Sequence, residues 1–419
     1  MSPHPSLGDL PGPADEVVRC LPGLAVFRAV ARARTLSEAA AALYKSTASV
    51  SRAMSELEAV FGTALVERTR RGTVLTPAGR LVLARADRID EELSAAATNL
   101  ARYRPEPGSE VLDALTRRLY DGRHLQLVVR LVNLRTVSAA AAALAMTQSG
   151  ASMALSRLES ALGLRLFRRT AAGMVPFDRT NVLVAHAKRA LAELRHLTSD
   201  LASTDGGTRG TVVIGTVPPG RTHVMPMAVV DAVGRHPELC VTTVEGHVEQ
   251  LLAGLRDGDI DVVVGVPPTP STTVDLAVEP LFEDDLVVLA RARHRLADRD
   301  RIPMEEVVDE AWILPRAVSP SRRLFDDAFV ARGLRPPRAT VESADLAVLR
   351  QMLATSDTLA FASARQLRFE LDSGLVTRLP VDLPALARQV HLVLRRGALL
   401  SPATAALVAC LRVRGTQAR

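Results

Sequence analysis

One segment of this chain occurs twice at a fixed spacing, and that repeat limits what the chain can fold into more than any other feature. Residues 35 to 69 read TLSEAAAALYKSTASVSRAMSELEAVFGTALVERT and residues 136 to 170 read TVSAAAAALAMTQSGASMALSRLESALGLRLFRRT, with no gap between the frames. A single offset of 101 residues carries Ala39 to Ala140, Leu43 to Leu144, Leu57 to Leu158, Glu58 to Glu159, Gly62 to Gly163, Arg68 to Arg169 and Gly72 to Gly173. A duplicated unit is therefore expected, and each copy must suit the same fold.

In the first copy, Leu24, Phe27 and Val30 recur at helical spacing. Thr35 with Glu38 three residues on forms a capping box for an Ala-rich second helix, small enough for another helix to approach closely. Ser46 can cap a third helix whose apolar stripe is Val50, Met54, Leu57 and Phe61, with Gly62 as terminator. The stripe leaves Thr47, Ser51, Arg52 and Ser55 on or near the other face, and the candidate DNA contacts are Ser46, Thr47, Ser49, Ser51 and Arg52. Short side chains permit approach to a major groove, and a guanidinium grips guanine O6 and N7; a solvated helix face would have the same composition. Two short apolar runs then flank Arg68-Thr69-Arg70-Arg71-Gly72, a two-stranded wing with a basic tip suited to phosphates. Thr76-Pro77 opens a long helix in which Val82, Ala86, Ile89, Leu93, Ala96 and Leu100 alternate spacings of four and three, a seam that calls for a partner helix.

Together the SELEAVFG helix end, the LVERTRRGTVLTPAG stretch and the long helix resemble the DNA-binding region of LysR-type transcriptional regulators over residues 24 to 100. The resemblance implies a winged helix-turn-helix followed by a dimerising linker helix. Arg52 matches that family's groove-facing Arg, whereas Thr47-Ala48 replaces its usual Gln-Pro.

The second copy repeats the stripe as Ala151, Leu155, Leu158 and Leu162, but places Gln148 at the helix start and Met153 where the first copy has Arg52. Candidate DNA contacts here are Thr147, Gln148, Ser149, Ser152, Arg168 and Arg169. Between Arg117 and Leu201 the chain carries thirteen Lys and Arg against five Asp and Glu, the distribution expected of a polyanion partner, double-stranded DNA. PFDRT replaces LTPAG ahead of the second linker helix, yet Leu183, Ala187, Ala190, Leu194, Leu197 and Leu201 keep the seam in register. We expect the two linker helices to pack within the chain as a pseudo-symmetric dimer. A homodimer of chains is left open, as is a second copy that serves only as a scaffold.

After Asp205-Gly206-Gly207-Thr208 the pattern changes to β-branched runs separated by helices, at 211–215, 240–244, 261–265, 286–290, 312–314, 359–362 and 391–394. That alternation implies parallel sheets with helices on both faces. This half resembles the effector-binding region of the same family, a type 2 periplasmic-binding-protein-like α/β fold of two lobes. The resemblance implies a small-molecule effector between the lobes, at strand ends and helix starts. Candidate contacts are Thr216, Pro218, Arg221, His247, Val266, Ser319, Ser321, Arg322 and Ser363, with Arg221 and Arg322 suited to an anionic group. An Arg at a loop end is equally a solvent-facing residue, and His247 a helix-start residue.

The expected fold class is thus a mainly α winged helix-turn-helix in two copies, each with a long linker helix, followed by a two-lobed α/β domain. The expected boundaries are a tail at 1–21, winged units with linkers at 22–104 and 105–203, and an effector domain at 210–415. Its first lobe takes 210–287 and 394–415 and its second 288–393. No GxSxG, P-loop, GxGxxG or HExxH motif supports an enzyme. Cys20, Cys240 and Cys410 stand apart without metal-ligand spacing, so no cofactor or metal is expected. With no apolar run near the roughly 18 residues of a membrane span, a cytoplasmic regulator is the leading reading. The alternative is a solute-binding or scaffold protein whose winged copies serve dimerisation and no longer read DNA. Salt-dependent DNA affinity separates the two.

Overall fold

In the computed structural model, which describes residues 13–69, 72–103, 109–204, 206–267 and 273–418, the repeated segment folds twice into three helices and a hairpin. The first unit comprises α1 (Asp15–Arg19), α2 (Leu21–Arg32), α3 (Leu36–Ala42), α4 (Thr47–Phe61), β1 (Val66–Thr69), β2 (Gly72–Leu75) and the linker helix α5 (Pro77–Ala101). A bridging helix α6 (Ser109–Leu119) leads to α7 (Gly122–Leu134), α8 (Val137–Ala143), α9 (Gln148–Leu162), β3 (Phe167–Thr170), β4 (Gly173–Pro176) and the second linker helix α10 (Asp178–Ser203).

The local causes repeat with the fold. Thr35 accepts the Glu38 amide at 3.2 Å while the Glu38 carboxylate accepts the Arg34 amide at 2.9 Å. Ser46 caps α4 through the Ser49 amide, Thr147 caps α9 through Gly150, and Gly62 and Gly163 end these helices in the left-handed conformation at φ 67° and 63°. Where PFDRT replaces LTPAG, the linker helix still forms. Thr76 N–H donates to Leu65 C=O in the first unit, and Phe177 N–H donates to Leu166 C=O in the second. Gly79 lies hard against the Leu65 carbonyl; its counterpart Thr180 instead donates its hydroxyl to the Leu166 carbonyl.

The expectation of a tail to residue 21 is corrected from residue 13 onward. Val18 of α1 is buried, and its carbonyl lies where a side chain on Gly122 would stand, so this single turn seals the start of α7. Two apolar residues are too few to show a period. Pro105, Pro107 and Gly108 fall outside the described residues.

Linker helices α5 and α10 run antiparallel against each other, since partners fall in number along α10 as they rise along α5. Arg85, fully buried, pairs with Asp200 at 2.6 Å and Glu193 at 2.5 Å; Glu92 meets His186 and Arg189, each at 2.8 Å; Asn99 meets His186 at 3.1 Å. The 101-residue offset maps Arg85, Glu92 and Asn99 onto His186, Glu193 and Asp200. The same polar node thus occurs twice across a local pseudo-dyad, once with Arg at its centre and once with His. Both units and both seams share one apolar core running from Val18 to Leu197.

The remaining half contains β5 (Gly210–Thr216), α11 (Pro218–Arg221), α12 (Val224–Arg235), β6 (Leu239–Glu245), α13 (Val248–Asp257), β7 (Val262–Gly265) and β8 (Leu276–Arg291). It continues with β9 (Trp312–Leu314), α14 (Pro320–Val330), β10 (Ala339–Glu342), α15 (Leu346–Thr355), β11 (Leu359–Ser363), α16 (Arg368–Asp372), β12 (Val376–Arg378), β13 (Leu386–Arg395) and α17 (Pro402–Gln417). The strands join in the order β10-β9-β11-β8-β13-β7-β5-β6, with β12 beside β8. The expectation of parallel sheets is corrected at the crossing between lobes. There β8 and β13 pair antiparallel along their length, and β11 and β7 pair antiparallel with them. Strands β10 and β12, short and polar, were not expected. Lobe one docks on α10: Lys188 meets Asp259 at 2.6 Å, and Asp261 takes Arg195 at 2.6 Å and His196 at 2.9 Å. The other Asp261 oxygen accepts the Val213 amide at 2.8 Å.

Candidate nucleic-acid interface and effector cleft

Helices α4 and α9 match in length and capping, so differences in what they present come from side chains. Ser46, Thr47, Ser49 and Arg52 are exposed and Ser51 is half-buried; in the second unit Thr147, Gln148 and Ser149 are exposed, Ser152 is half-buried, and Met153 is exposed. Behind each helix a buried or half-buried glutamate fixes the hairpin. Glu58 accepts the Leu65 amide at 2.8 Å, and Glu159 accepts the Leu166 and Phe167 amides at 2.7 and 3.3 Å. Beside the hairpin turn Gly72 and Gly173 adopt φ 124° and 103°, and a Cβ on either would lie 2.4 Å from the carbonyl of Arg34 or Arg135. The Thr73 and Met174 amides donate to those same carbonyls, tying each wing to the turn between its first two helices.

In the second unit this brings Arg135, Thr136, Ser138, Gln148, Ser149, Ser152 and Arg169 around one hollow of about 640 Å³. Arg168 and Arg169 are exposed on β3, and the Arg169 guanidinium reaches Ser152 Oγ at 3.5 Å. In the first unit Arg68 is the third residue of β1, paired with Thr73, while Arg70 and Arg71 lie outside the described residues.

In the effector half, Ser321 and Ser363 are buried and joined by two residues that the sequence reading missed. Arg388 donates to Ser321 Oγ and to Asp284, each at 2.8 Å, and Ser363 donates to the other Asp284 oxygen at 2.5 Å. These partners sit on the crossing strands β13 and β8, so the bonds tie α14 and the end of β11 to the crossing strands. Alternation along β8, with Phe282, Asp284 and Leu286 all buried, was the available signal for Asp284. Thr216 ends β5, buried, with its hydroxyl on the Val217 carbonyl at 3.2 Å. Pro218 and Arg221 open and close α11, and Val266 follows β7, half-buried. Ser319 caps α14 through the Arg322 amide. His247 stands exposed ahead of α13. Arg322 departs from the expected receiver of an anion: Asp326 at 2.8 Å and Glu342 at 3.5 Å already neutralise it.

Two helix-turn-helix units with basic wings, joined by a paired linker to a two-lobed cleft, define a class: DNA-binding regulators that carry a ligand-sensing half. Comparison with known proteins narrows this. The family model for the LysR substrate binding domain matches residues 205–415, and that for the bacterial regulatory helix-turn-helix protein, lysR family, matches residues 21–80 and again 122–177. The HTH-type transcriptional regulator GalR of Pseudomonas putida is 40% identical over 395 residues, 94% of this chain and 97% of its own, so that likeness runs through both units. GbpR of Azospirillum brasilense is 30% identical over 58% of this chain and 71% of its own. Among solved structures, a full-length OxyR variant from Pseudomonas aeruginosa (TM-score 0.52, 21% identity) covers 70% of this chain and 93% of its own, and CbnR (TM-score 0.50, 15% identity) covers 70% and 98%. The chain belongs to the LysR family of bacterial transcriptional regulators. It is a DNA-binding regulator with an effector-binding half, not an enzyme. No helix among the described residues is long and apolar enough to cross a membrane.

Proposed function

We propose that both winged units of one chain contact double-stranded DNA in the cytoplasm, and that a small effector between the lobes sets how they engage it. The observation that carries this is the intrachain pairing of α5 with α10, which supplies within one polypeptide the paired linkers that two chains provide elsewhere in the family. Ser46, Thr47, Ser49, Ser51 and Arg52 face one half-site, and Thr147, Gln148, Ser149 and Ser152 the other. Arg68, Arg70, Arg71, Arg168 and Arg169 hold phosphates and set register without reading bases.

The effector is a small polar molecule with an anionic group. Ser321, Ser363 and Thr216 offer hydroxyls at the cleft. Arg388, already paired with Asp284, orients the two serine hydroxyls, and Arg221 has no ion-pair partner among the described residues. Pro218, His247, Val266 and Ser319 shape the rim. Arg322, with two carboxylates on it, orders α14 rather than receiving the ligand. Closure is a population shift, biased by whatever the ligand binds better in the closed state.

Fluorescence anisotropy on an operator duplex across a salt series tests the DNA half. Affinity should fall steeply with salt, and Arg169→Ala should reduce the log–log slope by about one. A slope unchanged by Arg169→Ala and by Arg168→Ala would mean that the second unit is a scaffold.

A further inference from the structure

We infer that this regulator reads an asymmetric operator, with two arms of different sequence whose order along the DNA is fixed. The inference rests on both units contacting DNA, as proposed above, and adds what each one reads.

In a symmetric dimer the two recognition helices are identical, and the operator's palindrome mirrors that identity. Here the scaffold keeps the symmetry. Helices α4 and α9 span equal lengths, begin on hydroxyl caps at Ser46 and Thr147, and end on left-handed Gly62 and Gly163. Their glutamates and hairpin glycines make the same bonds and close approaches. The antiparallel seam repeats its polar node through the same 101-residue offset. Core positions are likewise held apolar, Val50 against Ala151 and Met54 against Leu155, all buried. The open face changes chemistry while the core stays apolar: Thr47 becomes Gln148, Ala48 becomes Ser149, Ser49 becomes Gly150 and Arg52 becomes Met153.

Those exchanges alter base chemistry rather than fold. Exposed Arg52 offers the two parallel donors that match guanine O6 and N7. Met153, 55% exposed at the corresponding place, has no donor and offers only apolar contact, which suits a thymine methyl group. Exposed Gln148 can both donate to adenine N7 and accept from its N6 amine, which Thr47 cannot do with one hydroxyl. The arm under α4 therefore requires a guanine, and the arm under α9 an adenine and thymine step. Since lobe one docks on α10 through Lys188, Arg195 and His196, whereas α5 meets the sensing half through Arg85 and Arg88, a fixed order of arms also fixes the side on which that half lies.

Selection of bound duplexes from a random library by the full-length protein, followed by sequencing, tests this. The expected consensus has two inverted but unequal arms. The reciprocal variant Arg52→Met with Met153→Arg, both at exposed positions, should move the guanine requirement to the other arm, with an exchange in preference of about tenfold to a hundredfold at those bases. Gln148→Thr should relax the adenine position alone. Unchanged circular dichroism and melting would verify that these variants fold. A palindromic consensus, or one that the reciprocal variant leaves in place, would overturn the asymmetric reading and leave DNA binding intact. Enrichment of no sequence at all would overturn both.

Discussion

At the residue scale, the glutamates and glycines shared by the two copies brace each wing, while the exchanges of Thr47 for Gln148 and Arg52 for Met153 lie on the exposed helix face. Glu58 and Glu159 illustrate the first kind. Each receives amides from the start of its hairpin, but Glu159 is the more buried, 7% exposed, and also holds Arg165 at 2.9 Å. Removing a carboxylate leaves buried amides unpaired, at about 1–3 kcal/mol. Glu159→Ala should therefore lower the urea midpoint of the helical half further than Glu58→Ala does, by an amount within that range. Equal losses would show that burial does not set the cost. Gly173→Ala should act differently: its Cβ meets the Arg135 carbonyl at φ 103°, so the tip of the hairpin shifts and phosphate contact weakens, while lobe-one contacts on α10 persist. The repeat announced these residues in the sequence, but their partners were not legible, because the bonded amides lie seven residues on and around a turn. Arg388 and Asp284 were hidden for a related reason: each is one of several charged residues in its strand, and only register across β8 and β13 brings them to the two serines.

At the element scale, the linker seam was the most legible feature, and its apolar positions are buried as the four-three spacing predicted, Leu201 only partly. What the spacing did not show is that the polar residues beside the seam are bonded across it. Arg85 is fully enclosed by Asp200, Glu193 and the Leu399 carbonyl, and Arg395 reaches the same Glu193 at 3.2 Å. A buried charge stripped of its partner costs about 3–5 kcal/mol. Arg85→Met should destabilise by that order, whereas His186→Leu, at the half-buried twin node, should cost clearly less; chemical denaturation followed by circular dichroism checks both. Docking of lobe one carries a pH signature. Burial alone would raise the Asp261 carboxyl, but Arg195, His196 and the Val213 amide outweigh burial and hold it down to about 2. A depressed carboxyl stabilises the fold above its unfolded pKa of about 3.9, and that contribution is lost as pH falls toward 2; at about 1.4 kcal/mol per unit it is on the order of 2 kcal/mol. Hydrogen exchange at the Val213 amide, taken relative to its intrinsic rate at each pH, should accelerate between about pH 4 and pH 2 in the native chain. In Asp261→Asn it should be fast at the higher pH already and show no such step.

At the scale of the whole molecule, the chain joins two winged units to one sensing half, where solved family structures covering 93 to 98% of their own length match only 70% of it. The loop from Arg395 to Leu399 follows directly from β13, the strand that carries Arg388 to the cleft, and ends on Arg85 of the first linker helix, while lobe one rests on the second linker helix. Both linkers thus touch the sensing half, but through different residues, so lobe closure would act on the two units unequally. The apolar core of the helical half is satisfied without that sensing half, since its members all fall between Val17 and Leu201. A fragment ending at residue 203 should therefore fold alone, remain monomeric by light scattering, and bind a full operator with one fragment per duplex, because both linkers are already paired inside it. Its binding should be first order in protein, with no concentration-dependent assembly step of the kind that a split dimer must show. A fragment that dimerises before it binds would mean that the intrachain pairing of α5 and α10 gives way to pairing between chains. The salt slope of this fragment should equal that of the full chain, since every phosphate contact proposed lies within it.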